Sequence, residues 1–298
     1  MTVLEIKNLT KRYGNILAVD DLSLSIESGS VFGILGPNGS GKSTTLSVVL
    51  GIVNATSGTF SWFGKPDGEF VNRRIGAIIE QPNFYPYLTA IQNLRIVAEI
   101  RDMNGDIDEE MRRVLEIVDL LERKDHNFST FSYGMKTRLA LAASLLGNPD
   151  ILVLDEPTNG LDPEGIAFVR NVILDEAKKG KTIIIASHIL DEIEKVCTDV
   201  LILKNGKLLA CGKVSEVLQS DAKVYIKSDD NKKLHEILVR NEIIESADFE
   251  EETMIVRLKK DVDVRKISEL AMDNRIVITN LELKKKSLED EFLELVKK

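Results

Sequence analysis

The stretch Gly36-Pro37-Asn38-Gly39-Ser40-Gly41-Lys42-Ser43 matches the pattern G-x-x-x-x-G-K-S and decides the fold prediction. An apolar run, residues 31–35, precedes it, and a run with helical character, residues 44–50, follows it. A strand, a glycine-rich loop and a helix N-terminus in this order form a cradle for phosphate groups. The glycine spacing differs from G-x-G-x-x-G, so a dinucleotide site is the weaker interpretation.

The residue types in this stretch suggest how a phosphate chain would be held. Glycines let successive backbone N–H groups converge on phosphate oxygens, and the helix dipole favours the negative charge. Lys42 would add a cation near the β- and γ-phosphates, and Ser43 would hold Mg²⁺ through its hydroxyl. We therefore expect a nucleotide to contact Gly36, Pro37, Asn38, Gly39, Ser40, Gly41, Lys42, Ser43 and Thr44.

The composition is that of a globular protein of one large or two ordinary domains, with 298 residues of which 43% are hydrophobic. The formal net charge of −9 counts against binding to nucleic acid, which draws most of its affinity from lysine and arginine. There is no signal-peptide pattern and no run of 18 apolar residues, so we expect a cytosolic chain. Cys197 and Cys211 are far apart in the sequence and are expected to be small core residues.

Apolar strands alternate with amphipathic helices up to about Gly212, which predicts an α/β domain with a largely parallel sheet. The strongest predicted strands are residues 31–35, 151–154, 182–186 and 199–203. The long insertion before residue 151 contains apolar residues at helical spacing, which are Met111, Val114, Leu115, Val118 and Leu121. We therefore expect a separate helical lobe at about residues 85–148.

The pattern changes after Gly212 and predicts a small α+β domain over residues 220–298. Its elements follow the order β-α-β-β-α-β of a ferredoxin-like fold. The predicted elements are a strand at 224–226, a helix at 232–239, strands near 243–248 and 253–258, a helix at 262–272 and a strand at 276–279. A last helix is predicted at 287–296.

Two carboxylates follow the apolar strand 151–154 directly. Paired acids at the end of a buried strand are rare without a positive ligand nearby, and a magnesium nucleotide would supply that charge. Asp155 would bind Mg²⁺, and Glu156 would orient and deprotonate the water that attacks the γ-phosphate. His188 follows strand 182–186 at the same edge of the sheet, where it would hydrogen-bond the γ-phosphate and hold Glu156 in line.

Together these motifs resemble the nucleotide-binding domain of ABC transporters over about residues 1–215. Tyr13, in Lys11-Arg12-Tyr13-Gly14, matches the aromatic residue that stacks on adenine in that family. Phe131-Ser132-Tyr133-Gly134-Met135 takes the position of the L-S-G-G-Q signature. By this resemblance Ser132 and Gly134 would touch the γ-phosphate held by the opposite subunit, and Gly134 precedes a predicted helix start at Met135. Asp162, in Gly160-Leu161-Asp162, matches the D-loop that joins the two subunits' sites.

The resemblance implies that each catalytic site is split between two chains. ATP, with Mg²⁺, would then join a head-to-tail dimer, and hydrolysis would release it. A second copy of this chain, or a close paralogue, is therefore the expected partner, and two-fold symmetry would give two composite sites.

The sequence departs from the family pattern at two places. The signature has Tyr133 and Met135 where the family has its first Gly and its Gln. The Q-loop position falls on Glu80, with Gln81 one place later, so either residue would approach the metal. A Glu in this loop resembles the ATPases of bacitracin-resistance and lantibiotic-immunity exporters, and the closing residues 287–293 fit the same subgroup.

The resemblance further implies an ATP-hydrolysing motor subunit at the inner face of the membrane. It would drive a separate integral membrane permease that exports a peptide antibiotic, a drug or a lipid-like compound, for resistance or immunity. The expected permease surface is around residues 80–100, where Phe84, Tyr85, Tyr87 and Leu88 cluster. The alternative is a soluble ABC ATPase that acts on ribosomes or DNA. Such relatives usually carry two cassettes or long coiled-coil arms, and neither is found in this sequence. A small-substrate kinase is disfavoured by the signature and the D-loop.

Overall fold

The computed structural model describes residues 1–66, 74–79, 83–219, 223–259 and 262–284. The chain divides into two compact units, Met1–Val214 and Ser215–Lys298. The first unit contains two sheets and the second unit one, and each unit has its own apolar core.

The first unit is built from strands and helices that alternate along most of its length. Its strands are β1 (Thr2–Tyr13), β2 (Ile16–Glu27), β3 (Val31–Leu35), β4 (Ser57–Trp62), β5 (Lys65–Pro66), β6 (Ile75–Ile78), β7 (Ile151–Asp155), β8 (Thr182–Ser187), β9 (Asp199–Lys204) and β10 (Lys207–Lys213). Its helices are α1 (Lys42–Val49), α2 (Ala90–Ile100), α3 (Ile107–Ile117), α4 (Tyr133–Leu145), α5 (Pro163–Lys178) and α6 (Leu190–Val196). A further helix, α7 (Val214–Gln219), begins at Val214, the last residue of this unit. Within the described ranges, no helix is both long enough and apolar enough to cross a bilayer.

A six-stranded sheet with the order β10-β9-β3-β8-β7-β6 forms the centre of this unit. Strands β9, β3, β8, β7 and β6 run parallel, and β10 pairs antiparallel to β9 at the edge. Every residue of β3, β7 and β8 is buried, as expected for parallel strands that are covered on both faces. The predicted α/β fold class is therefore confirmed, and the predicted strands lie within one residue of the observed ones.

A second, antiparallel sheet with the order β2-β1-β4-β5 shares its apolar core with the parallel sheet. The shared cluster includes Leu4 and Ile6 of β1, Leu46 of α1 and Val153 of β7. Trp62, at the end of β4, is buried, and its indole Nε1 donates a hydrogen bond of 2.6 Å to the carbonyl of Val49. The last residue of α1 is thereby fixed to the antiparallel sheet.

Helices α2, α3 and α4 fill the sequence between β6 and β7, where the helical lobe was expected. The predicted apolar face is found in α3, where Met111, Val114 and Leu115 are all buried. The helix ends at Ile117, because Asp119 two residues later has a φ of 55°, which an α-helix cannot continue through. Leu121 therefore lies in a separate 3₁₀ turn, Leu121–Arg123, and not in this helix.

The cysteines differ in their surroundings, and the prediction was right for one of them. Cys197 is buried, and burial raises the pKa of its thiol well above the usual range. Cys211 is exposed on the edge strand β10, so the prediction that it is a core residue was wrong. An edge strand has no neighbour on its outer side to cover such a side chain.

The second unit is a four-stranded antiparallel sheet with two helices. Its elements are β11 (Lys223–Ser228), α8 (Asn231–Arg240), β12 (Ile244–Glu250), β13 (Thr253–Leu258), α9 (Arg265–Asp273) and β14 (Ile278–Lys284). The strand order β12-β13-β11-β14 and the antiparallel pairings are those of the predicted ferredoxin-like arrangement. Helix α9 begins three residues later than predicted, and the helix predicted at 287–296 lies outside the described residues.

Candidate active site

The glycine-rich loop lies between the end of β3 and the start of α1, as its sequence context predicted. Gly41 is the N-cap of α1 and has a φ of 105°, a left-handed conformation that favours glycine. A Cβ atom at this position would stand only 2.4 Å from the carbonyl oxygen of Ala18. Residues 37–39 are exposed, so the backbone of the loop is open to a ligand.

Lys42, the first residue of α1, is folded back over this loop. Its ammonium Nζ donates to the carbonyl of Gly36 at 2.8 Å and to that of Pro37 at 3.4 Å. The side chain is only 5% exposed, and its charge is balanced by Glu156, whose Oε1 is 3.4 Å from Nζ. A buried ammonium with three oxygen neighbours is held in one position, which is what a phosphate-binding cation requires.

Glu156 follows β7 and is held in an unusual backbone conformation. Its φ of 49° is left-handed, which is uncommon for a residue other than glycine, and its N–H donates to the carbonyl of Ala186 at 2.9 Å. Its carboxylate lies between Lys42 and His188, with Oε2 2.9 Å from Nδ1 of the histidine. Such strained residues are concentrated at active sites, where the surrounding structure keeps them in place.

The last residues of β7 and β8 bring Asp155 and His188 to the same edge of the sheet, because Asp155 pairs with Ala186 in register. Asp155 is buried, whereas the imidazole of His188 is exposed. We call Lys42, Asp155, Glu156 and His188 the carboxyl-end cluster, after the ends of the parallel strands at which they gather. Ligands of open α/β sheets bind at this end.

The residues predicted to hold magnesium have suitable donor groups. Asp155 contributes a buried carboxylate, and Ser43 carries an exposed hydroxyl in the first turn of α1, a helix that packs against β7. Hard oxygen ligands of these two kinds suit Mg²⁺, which normally keeps further ligands from water and phosphate. Glu80 and Gln81, the two alternatives for a third ligand, lie outside the described residues.

The predicted signature opens helix α4, but the helix begins earlier than expected. The prediction placed the helix start after Gly134; the structure has Ser132 as the N-cap and Tyr133 as the first helical residue. The start is shifted because the Ser132 hydroxyl accepts the N–H of Met135 at 3.3 Å, which completes the cap. Gly134 therefore lies in the first turn of α4.

Two further predicted residues are engaged in local contacts. Asp162 is the N-cap of α5, and its Oδ1 accepts the N–H of Gly165 at 2.8 Å. Tyr13, the last residue of β1, is exposed, and the ammonium of Lys11 lies 4.7 Å from its ring centroid. Within the described ranges, neither residue belongs to the carboxyl-end cluster.

One contact, between Tyr133 and the turn at Asn159 and Gly160, was not predicted from the sequence. The Tyr133 hydroxyl donates to the carbonyl of Asn159 at 3.1 Å, and its ring covers Gly160. Tyr133 and Asn159 are 26 residues apart in the sequence, and no local sequence pattern predicts that they touch. The only signal in the sequence was the departure from the signature at residue 133.

A second group of charged residues lies at the amino ends of β7 and β8. Lys181 donates to Oδ1 of Asn148 at 2.7 Å and to the carbonyl of Pro149 at 2.6 Å, and it lies 3.6 Å from Glu176. Glu176 also accepts from Lys179 at 2.5 Å. We call Asn148, Glu176, Lys179 and Lys181 the amino-end cluster.

Comparisons with known proteins identify the family of this chain. The family model described as ABC transporter matches residues 19–159. The chain is 38% identical to the bacitracin transport ATP-binding protein BcrA of Bacillus licheniformis, over 99% of this chain and 97% of that protein. It is 38% identical to the lantibiotic transport ATP-binding protein SrtF of Streptococcus pyogenes, over 70% of this chain and 89% of that protein.

Solved structures of ATP-binding cassettes match most of the chain. The ATP-binding cassette MJ0796, in a dimeric post-hydrolysis state bound to ADP and Pi, aligns with a TM-score of 0.64 and 26% identity, over 71% of this chain and 98% of that one. CbiO1 of Clostridium perfringens, part of an ABC transporter complex, aligns with a TM-score of 0.65 and 27% identity, over 80% of this chain and 95% of that one. The chain therefore belongs to the ABC transporter family, as an ATP-binding subunit with ATPase activity.

Proposed function

We propose that this chain hydrolyses ATP with Glu156 as the base and that the reaction powers the export of a peptide antibiotic by a separate membrane permease. The observation that carries the proposal is the position of the Glu156 carboxylate, 3.4 Å from the Lys42 ammonium of the phosphate loop and 2.9 Å from His188. A base held beside the phosphate-binding cation is within reach of a water near the γ-phosphate.

The chain's own residues divide the work of hydrolysis. Backbone N–H groups of residues 38–44 and the Lys42 ammonium bind the phosphates, and His188 orients Glu156 and the γ-phosphate. Glu156 accepts the proton of the attacking water. Ser43 and Asp155 would hold Mg²⁺, which when bound neutralises part of the phosphate charge.

A second copy of this chain completes the site. Ser132 and Gly134 lie at the N-terminus of α4, whose N–H groups suit the γ-phosphate of the opposite copy. The dimeric form of the 26% identical cassette bound to ADP and Pi supports this assembly. We infer that Tyr13 stacks on the adenine ring, since its own ring is exposed.

The permease would contact the exposed aromatic residues that precede α2. Tyr85 and Tyr87 are 48% and 68% exposed, and their ring centroids are 5.8 Å apart. The neighbouring Phe84 packs edge-on against Phe128, with their ring centroids 5.2 Å apart, and this packing anchors the segment that carries the two tyrosines. Exposed tyrosines of this kind are typical of protein interfaces, because each offers a large apolar area with a polar tip.

The peptide antibiotic is proposed from the relatives whose names state bacitracin and lantibiotic transport. These relatives are transport subunits, which favours an exporter over an ATPase acting on ribosomes or DNA. The chain would work on the inner face of the membrane, attached through the permease.

The proposal is tested in two steps. Purified protein with Mg²⁺ should retain ATP at millimolar concentration and hydrolyse it; failure to retain the nucleotide would overturn the assignment. Cells that produce the chain together with a membrane permease that binds it should then survive higher bacitracin concentrations than cells producing Glu156→Gln with the same partner. Equal survival of the two strains would reject the peptide-antibiotic cargo while leaving the ATPase intact.

A further inference from the structure

Tyr133 connects the signature helix to the turn that carries Glu156 in the same chain. Its hydroxyl donates to the carbonyl of Asn159 at 3.1 Å. Its ring lies against Gly160, where an added Cβ would stand 3.1 Å from the ring atom Cε1. Gly160 also has a φ of 75°, so both the backbone and the tyrosine ring favour glycine at this position.

Two backbone hydrogen bonds hold the turn from Glu156 to Asp162. The carbonyl of Glu156 accepts the N–H of Asn159 at 3.1 Å, and the carbonyl of Thr158 accepts that of Leu161 at 3.3 Å. The turn ends at Asp162, which caps α5. Two hydrogen bonds in series, Asn159 to Glu156 and Tyr133 to Asn159, therefore connect the backbone of the proposed base to the start of α4.

The side chain of Leu161 also lies near the start of α4. Its Cδ2 atom lies 3.8 Å from the position that a Cβ would occupy at Gly134. The start of α4 thus contacts the turn at Asn159 and Gly160 through Tyr133, and Leu161 lies close to Gly134. A displacement of the turn on one side would therefore be transmitted to Ser132 and Gly134 on the other.

We propose that Tyr133 is a positioning residue that couples the Glu156 turn of one copy to the signature that this copy presents to the nucleotide of the second copy. The inference rests on the proposed function, because it assumes that Ser132 and Gly134 act on the opposite site. The tyrosine stands where the family pattern has glycine, so this chain carries a link that a glycine could not make. Its side chain is 42% exposed, so it is not part of the core.

The link predicts that Tyr133 affects both sites of the dimer, its own through the Glu156 turn and the opposite one through the signature. Dimers of two differently tagged copies, in which Glu156→Gln silences one site, separate these effects. In the first arrangement Tyr133→Phe is placed in the copy with the intact base. In the second it is placed in the copy with Glu156→Gln, which supplies the signature to the working site.

Loss of one hydrogen bond should lower kcat by about three- to tenfold in each arrangement, with KM for ATP changed less than twofold. The reference is the dimer of a wild-type copy and a Glu156→Gln copy, and Tyr225→Phe is the matched control in the second unit. An unchanged kcat in both arrangements, or a loss in only one of them, would overturn the coupling.

Two further measurements keep the test decisive. ATP retention by each variant reports on the nucleotide site itself, so loss of retention in the wild-type protein would reject the proposed function rather than the coupling. Gly160→Ala places a methyl group against the ring of Tyr133 and should lower kcat in the same way. Tyr133→Phe should have the melting temperature of the wild-type protein. A Gly160→Ala protein with full kcat would count against the coupling.

Discussion

The two ends of the parallel sheet both gather buried charged residues, but the carboxyl end sets them beside an exposed glycine loop. In the amino-end cluster, Lys181 has three oxygen neighbours from Asn148, Pro149 and Glu176, and Glu176 is 1% exposed. In the carboxyl-end cluster, Lys42 is also buried, but it belongs to the glycine loop and shares Glu156 with the exposed imidazole of His188.

The difference teaches that a buried charge is weak evidence for function. Burial lowers the pKa of Lys181, although the charge of Glu176 opposes this effect. A left-handed residue does not separate the clusters either, because Asn148 at the amino end and Glu156 at the carboxyl end both have a φ of 49°. The carboxyl-end cluster differs in the exposed loop beside it, residues 37–39, and in Gly41, where an added Cβ would stand 2.4 Å from the carbonyl oxygen of Ala18. This open glycine loop separates the two clusters better than charge does.

The largest expected effect tests whether chemistry belongs to the carboxyl end alone. Glu156→Gln should lower ATP turnover about 10³-fold, because the base is lost while the phosphate cradle remains. The matched change Glu176→Gln at the amino end should leave turnover per folded molecule within twofold. Steady-state hydrolysis assays on both proteins check this, and near-normal turnover in Glu156→Gln would show that another group activates the water.

The second effect concerns stability at the amino end. Lys181→Met leaves the buried Glu176 with less compensation and should reduce the free energy of unfolding by about 3 kcal/mol. Nucleotide affinity of the folded protein should not change. Lys178→Met is the control, since Lys178 is exposed and forms an ion pair with the exposed Asp175. Denaturant titrations with and without ATP measure both quantities, and weakened nucleotide binding in Lys181→Met would break the distinction between the two ends.

The third effect compares ATP turnover after the loss of His188 with turnover after the loss of His126. His188→Ala removes the partner of the Glu156 carboxylate and should lower turnover about 100-fold, with ATP retention preserved. His126→Ala, at a histidine that lies beside Arg123, should have no effect on turnover. Equal activity of the two variants in a single-turnover assay would remove His188 from the proposed mechanism.

The smallest expected effect concerns the glycine loop. Gly41→Ala adds a Cβ 2.4 Å from the Ala18 carbonyl and should weaken ATP binding about tenfold. Gly105 has a similar φ of 98°, with no atom of the described residues within 4 Å of its added Cβ. Gly105→Ala should therefore cost about 1 kcal/mol of stability and leave affinity unchanged. Titrations of bound nucleotide distinguish the two cases.

The sequence predicted the parts of the site that depend on local patterns. The glycine loop, the acidic end of β7 and the position of His188 all follow from apolar strands with chemistry-bearing residues after them. The contact between Tyr133 and Asn159 could not be predicted, because it joins segments whose approach depends on how α4 packs. The early start of α4 at Tyr133 was missed because a serine cap competes with a glycine signal, and Cys211 because edge and central strands have similar apolar patterns.

The chain contains a single tryptophan, and the hydrogen bond from Trp62 to Val49 places it at the end of the helix that follows the glycine loop. The tryptophan emission of the protein, excited apart from its five tyrosines, therefore originates from one point, inside the core and one helix length from the nucleotide loop. Any shift of α1 that loosens this bond would change the emission wavelength of the unlabelled protein. Trp62 is thus a built-in fluorescence probe for movement of α1.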